Sequence, residues 1–253
     1  MSTTLKDSLN AKIFAAYKMD GNGNDSKNSN DMTMAPATQW VNLPNGLVGN
    51  HIEAQNTAWL AADYNTDVEF VTGSLHKKFS VFGFIKKTAN VTADKAIFSY
   101  GRNIDEARCQ LYIDANGNWV FEMYTDPKGG STDYTTNKMQ IFLDNQPHDY
   151  NFNDDYAIGD WIGFCVHIDV VNNRPEGYLI IDKDPTQNLQ EIGAYTRMQK
   201  FDNEVVHFRL ASGYNVGGLR CGYDEIYVCD DFVTYDEWCW AYDEIKAGNN
   251  ILN

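Results

Sequence analysis

Cationic residues are scarce in this chain. Lysine and arginine number 20 against 35 aspartates and glutamates, a formal net charge of −15 at pH 7. Such a chain repels phosphate backbones, so nucleic acid is excluded as a partner, while calcium and solubility in a crowded assembly stay open. Long apolar runs are missing too. No stretch approaches the roughly 18 residues of a membrane span, so membrane insertion is not expected. The longest apolar run near the start, 13–17, is too short for a secretory leader. The five cysteines, Cys109, Cys165, Cys221, Cys229 and Cys239, are odd in number and contain no CxxC pair. That pattern suggests neither a disulfide framework nor a zinc knuckle, and buried free thiols are expected. Nucleophile and phosphate motifs are likewise absent: there is no G-x-S-x-G, no H-E-x-x-H and no P-loop. His51, His76, His148, His167 and His207 are scattered without ligand spacing, so His167 and His207 are expected to be structural.

What remains is a pattern of period two. From Trp161, the alternate positions Ile162, Phe164, Val166, Ile168 and Val170 are apolar, which predicts a half-buried strand. Val206, Phe208 and Leu210 repeat the pattern, and Leu179 and Ile181 do so in a shorter run. Residues 79–85 are apolar on both faces and predict a central strand covered on both sides. Polar turns separate these runs: Asn116-Gly117, residues 172–177, and the longer loops 126–136 and 144–160. Thr234 with Glu237 makes a capping box ahead of Trp238, Ala241, Tyr242 and Ile245 at helical spacing, and Gly248 follows. A helix over 234–247 is therefore predicted, with a weaker one over 4–12. Hydrophobic residues make up 43% of the 253, enough for a core. No repeat or low-complexity linker divides the chain. The expectation is an arm or short helix over 1–12, then one all-β domain over 13–253: a two-sheet antiparallel sandwich with a short C-terminal helix.

Three segments carry a family resemblance, in order, across about 13–246. They are 17–26 (Tyr-Lys-Met-Asp-Gly-Asn-Gly-Asn-Asp-Ser), the hairpin 161–182 opened by Trp161, and 222–228 (Gly-Tyr-Asp-Glu-Ile-Tyr-Val) before the capped helix. Together they resemble the laminin-G-like jelly rolls of the concanavalin-like superfamily. Lys27-Asn28 replaces the Ser-Gly usual in that family after Asn24-Asp25.

Asp20, Asn22 and Asn24 alternate at i, i+2 and i+4, with Asp25 beside them, as hard-cation ligands can. The missing sixth-position glycine and flanking helices exclude an EF-hand. The resemblance implies one structural calcium near this loop, with Asp224 as a further ligand; the alternative is a solvated Asn/Asp turn. The acid triplet of sandwich glucanases, Glu-x-Asp-x-x-Glu, is absent, and Glu122 is the only acid inside its strand, so no enzyme is expected.

A tight hairpin about Asn116-Gly117 would set Tyr112 opposite Phe121 and Asp114 opposite Trp119. Gln110, Tyr112, Asp114, Trp119, Phe121 and Met123 would then share one face. Gln110, Tyr112 and Trp119 are the ligand candidates, because rings mixed with amides and carboxylates suit sugars. The alternative makes this face the core.

By resemblance the chain is a non-enzymatic, lectin-like surface or structural module. Beginning at Met1 without a leader, it is expected on a bacteriophage virion surface, made in the host cytoplasm, as a head fibre, decoration or tail appendage. Its expected partners are other virion proteins, surface glycans and further copies of itself in a homo-oligomer. The alternatives are a secreted or cell-surface carbohydrate-binding module and, behind it, a hydrolase with an unfamiliar acid pair.

Overall fold

A computed structural model describes residues 2–35, 40–55, 59–64, 78–101, 107–124, 138–142, 150–171, 174–183, 206–213 and 216–252. The predicted loop 126–136, the turn residues 172–173 and the histidines His76 and His148 lie outside them. In chain order the elements are α1 (Ser2–Lys12), β1 (Ile13–Tyr17), β2 (Thr33–Ala35), β3 (Trp40–Leu43), β4 (His51–Ala54), β5 (Trp59–Tyr64), β6 (Lys78–Lys87) and β7 (Lys95–Gly101). They continue with β8 (Ala107–Ile113), β9 (Trp119–Tyr124), β10 (Lys138–Phe142), β11 (Trp161–Val171), β12 (Arg174–Ile181), β13 (Val206–Leu210), β14 (Gly217–Gly218), β15 (Cys221–Cys229) and α2 (Tyr235–Lys246).

Seven strands form one sheet in the order β12-β11-β6-β15-β4-β3, with β1 also on β15. Eight form the other, β10-β9-β8-β7-β13-β5-β2, with β14 on β7. Among the described residues every strand pairing is antiparallel except the short β14–β7 contact. The expected all-β two-sheet sandwich with a C-terminal helix is what the chain builds.

Alternation explains the layers. Ile162, Phe164 and Val166 point from β11 into the core between the sheets, where they meet Phe98, Leu111, Phe121 and Phe208. Cys165, on the opposite face, joins Phe82, Phe84 and Tyr227 beneath Trp238, Ala241 and Ile245 of α2. Strand β6 lies between β11 and β15. It supplies Val81 and Ile85 to one layer and Phe82 and Phe84 to the other, as its continuous apolar run predicted. All five cysteines are free, and four of them are buried.

The capping box forms as the sequence indicated. Thr234 accepts from the Glu237 amide, and the Glu237 carboxylate accepts from the Thr234 amide. Glu237 also takes Lys12 Nζ at 2.7 Å and Ser8 Oγ at 2.6 Å. The same carboxylate therefore caps α2 and ties α1 to it. Asn10 donates to the Ile251 carbonyl at 2.7 Å, a second tie between the two ends of the chain. His167 contacts Ser80 Oγ at 3.1 Å and stays buried, a structural role as expected.

The hairpin between β8 and β9 departs from expectation. Asn116-Gly117 is not a two-residue turn. Residues 114–118 form the connection: the Gly117 amide bonds the Asp114 carbonyl at 3.0 Å, and Gly117 takes φ +89°. Asp114 Oδ1 accepts from the amides of Asn116 and Asn118, both at 2.8 Å, which stabilises this wider turn over the tight one. The register therefore moves by one: Tyr112 pairs with Val120, and Ile113 with Trp119.

Candidate functional site

A one-residue slip exchanges the faces of a strand. Trp119 and Phe121 accordingly turn into the core with Leu111 and Ile113, and Trp119 is fully buried against Phe152. Trp119 is thus corrected from ligand candidate to core residue, and Asp114 becomes a turn residue. The side chain of Met123 lies outside the described residues. Gln110 and Tyr112 do share a face, as predicted, but on the outer side of the eight-stranded sheet with Val120 and Glu122.

Glu122 is the centre of that face, and the sequence reading passed over it as an isolated acid. Gln110 Nε2 donates to its Oε2 at 2.9 Å, and Tyr112 Oη donates to its Oε1 at 3.0 Å. Burial, then the neighbouring carboxylate of Glu122, pushes the Tyr112 phenol well above its ordinary range, so it remains a donor. Register continues the polar line across the sheet. Glu122 stands opposite Gln110, Gln110 opposite Ser99, and Ser99 opposite Arg209. Period two on each strand was the available signal, but the cross-strand line appears only once register is known. The row is shielded from solvent: Gln110, Ser99, Glu122 and Arg209 are 1, 3, 3 and 9% exposed. Gly213 lies against it so closely that a Cβ would stand 2.6 Å from Ala96 Cβ and 2.8 Å from Gln110 Oε1.

The residues expected to hold calcium separate into two groups. Asn22 and Asn24 are exposed, and Asn22 Oδ1 caps the Asn24 amide at 2.9 Å. Asp25 organises its own loop: Oδ1 accepts from the amides of Ala16 and Lys27, and Oδ2 from Asn30. Asp20 instead accepts from the Asn50 amide at 2.8 Å, on the side of Asp224. The five do not converge. Among the described residues no group of three or more His, Cys, Asp or Glu side chains is arranged to hold a metal ion.

Asp224 nevertheless sits in an unusual place. Strand β15 pairs with β4 through Gly222 and Tyr223, then with β1 from Ile226 onward. Its register with β6 slips between Asp224 and Tyr227, and Glu225 takes φ +50°. The bulge at this change of partner leaves both acids fully buried and close together. Asp224 Oδ2 accepts from the Leu47 amide at 2.5 Å and Glu225 Oε2 from the Tyr227 hydroxyl, while Asp224 Oδ1 and Glu225 Oε1 have no partner. Burial and then the charge of Glu225 push Asp224 up to about 8, against the pull of the Leu47 and Val48 amides. Burial pushes Glu225 up to about 7, opposed by Tyr227 and Lys18. Two carboxylate oxygens are thus left orphaned in a buried place, and neither they with Asp20 nor the expected set of five form a metal-holding group of three acidic side chains.

No protein-family model matches the chain. No curated protein matches it either. Solved structures do, at the level of fold. The botulinum neurotoxin serotype D ligand-binding domain, solved with N-acetylneuraminic acid, matches with a TM-score of 0.63 at 10% identity, over 94% of this chain and 52% of that one. The serotype G binding domain matches with a TM-score of 0.61 at 14% identity, over 91% and 50%. The binding domain of botulinum neurotoxin DC, in complex with rat synaptotagmin II, matches with a TM-score of 0.62 at 10% identity, over 94% and 52%. The chain thus spans about half the length of these structures and has the β-sandwich fold of part of each.

Proposed function

We propose that the chain is a non-enzymatic glycan-binding module, and that saccharide is taken by the outer face of the eight-stranded sheet around Glu122. One observation carries this: Gln110 and Tyr112 converge from β8 on one carboxylate of β9, within a polar row that crosses the sheet beside the apolar Ala96 and Val120. Burying such groups costs free energy unless they serve each other or a ligand. Amide, phenol and carboxylate together offer the donors and acceptors that sugar hydroxyls need. The row holds one carboxylate, whereas hydrolysis of a glycosidic bond by the common route needs two facing each other. Similar folds that carry N-acetylneuraminic acid or a protein receptor support a binding role.

The test is a glycan array with the full chain, repeated with Gln110→Ala and Glu122→Ala. Binding that both variants weaken at least tenfold supports the proposal. Binding that neither variant changes moves the site elsewhere. The same proposal puts the module on a surface that meets glycans: a virion first, in a homo-oligomer among other virion proteins, and an extracellular surface second. Sedimentation of the chain alone and with native particle material separates the two.

A second proposal concerns the rim. Calcium would be held there by the two orphaned oxygens, Asp224 Oδ1 and Glu225 Oε1, with water and backbone carbonyls completing its shell. The ion would supply the positive charge that the bulge lacks. Terbium luminescence of the wild-type chain, absent in Asp224→Asn, would support it; equal signals from both proteins would overturn it.

A further inference from the structure

Trp161 opens β11 and stands opposite Lys86 of β6, which in turn stands opposite Gly222 of β15. Lys86 Nζ lies over the Trp161 ring, 5.7 Å from its centroid. From α2, Lys246 Nζ reaches the same residue and bonds its carbonyl at 3.1 Å. His51 arrives from β4. A Cβ at Gly222 would stand 2.9 Å from both His51 Cδ2 and Lys86 Cβ, so the glycine leaves the room through which His51 reaches the Trp161 edge. Two ammonium groups and an imidazole, from three separate elements, thus gather on one half-buried tryptophan.

This corner is rich in donors and poor in acceptors. The ion pairs among the described residues are Lys12–Glu237 and Lys183–Asp243, so neither Lys86 nor Lys246 has a carboxylate partner among those residues, although the chain carries 35 acids. Both His51 nitrogens are buried without a partner, and whichever one carries the hydrogen is a donor left unused. Two acids at this end of the sheet, Asp160 and Glu53, are turned to other donors. Asp160 Oδ2 accepts from the Ala157 amide at 2.8 Å, and Glu53 Oε2 lies 3.5 Å from Gln55 Nε2. The tryptophan face holds the Lys86 ammonium in place without neutralising it.

We infer that this corner is an oxyanion site. It takes the phosphate or sulfate group of a monoester between Lys86 and Lys246, with the Trp161 ring as its apolar floor. Ammonium groups are compact point charges, and a tetrahedral oxyanion can share its oxygens among donors that arrive from different directions. Ring and carbonyl already order the two lysines, which lowers the entropy lost on binding. The site lies on the seven-stranded sheet, apart from the Glu122 row, and does not depend on the saccharide proposal.

The experiment follows the six tryptophan indole signals of the nitrogen-15-labelled full chain, with Trp161 identified through Trp161→Phe. Sodium sulfate and inorganic phosphate are titrated against sodium chloride at constant ionic strength. The Trp161 signal should move saturably with sulfate and phosphate and not with chloride. Lys86→Gln and Lys246→Gln should each weaken binding about tenfold, as loss of one charge-assisted hydrogen bond does. Lys95→Gln, on the other sheet, should leave it unchanged. The other five indole signals report whether a variant is folded. Lys246 is exposed, so its variant keeps the test open if Lys86→Gln does not fold. A Trp161 response no different from that to chloride, or one that survives the lysine substitutions, overturns the inference. A hexose 6-phosphate and phosphatidylcholine vesicles with and without phosphatidic acid then separate the sources. Tighter binding of the sugar phosphate than of inorganic phosphate supports a soluble ester, and lysine-dependent sedimentation with the phosphatidic acid vesicles supports a lipid headgroup.

Discussion

Tyr112 donates its phenolic hydrogen to Glu122 across the β8–β9 hairpin, 3.0 Å from oxygen to oxygen, with both side chains almost wholly buried. Glu122→Leu removes the acceptor that Tyr112 and Gln110 share. The expected cost is about 1–3 kcal/mol for donors left in a shielded site. Glu122→Gln keeps the shape and an acceptor oxygen, so it should cost less. Urea unfolding of the two variants checks the order.

Calcium at the rim should stabilise the fold. At a concentration 100 times its dissociation constant, a ligand specific to the folded state adds about 2.7 kcal/mol. Thermal melts with calcium and with chelator should therefore differ in wild type and coincide in the Asp224→Asn, Glu225→Gln double variant.

His51 gives the pH dependence. Its ring is buried edge-on to Trp161, 5.1 Å between centroids, and both nitrogens lack a partner. Burial first, and the charge of Lys86 second, lower it from 6.5 to about 4. The folded state thus favours the neutral ring. This contribution is fully present above pH 6.5 and is lost as pH falls towards 4. His51→Phe should melt with a shallower dependence over that window, and melts at half-unit pH steps would show it. Superimposable slopes would refute the assignment.

Gly83 of β6 lies directly under the β15 bulge. A Cβ there would stand 2.5 Å from Ile226 Cδ1 and 2.8 Å from the Glu225 carbonyl oxygen. Gly83→Ala should destabilise by about 1–3 kcal/mol, as overpacking does. If the bulge is what gives way, terbium binding at Asp224 falls as well.

Thr234→Ala removes one half of the α2 capping box and should cost about 1 kcal/mol. Glu237→Ala should cost more, because the same carboxylate also holds Lys12 and Ser8 of α1. Denaturation midpoints of the two variants test the ranking.

The layering of this protein was legible in the chain before any tertiary contact was known. Alternation in β11 and β13, the doubly apolar β6 and the Thr234–Glu237 box each act within one element, where periodicity is set by backbone geometry alone. Free buried cysteines followed from the same local logic. Features that depend on register and on partners distant in sequence emerged only from the packed strands. Asp114 accepts two amides and widens the hairpin by enough to turn Trp119 inward, so a ligand candidate became core while Gln110 and Tyr112 met Glu122. The line from Glu122 to Arg209 joins strands 87 positions apart, and no local pattern marks it. Asp224 looked like a distant partner of Asp25, but β15 changes partner from β4 to β1 at that point. The resulting bulge draws Asp224 to Glu225 and the Leu47 amide instead. Such pairings come from long-range strand order, which many sequences with the same alternation could satisfy differently.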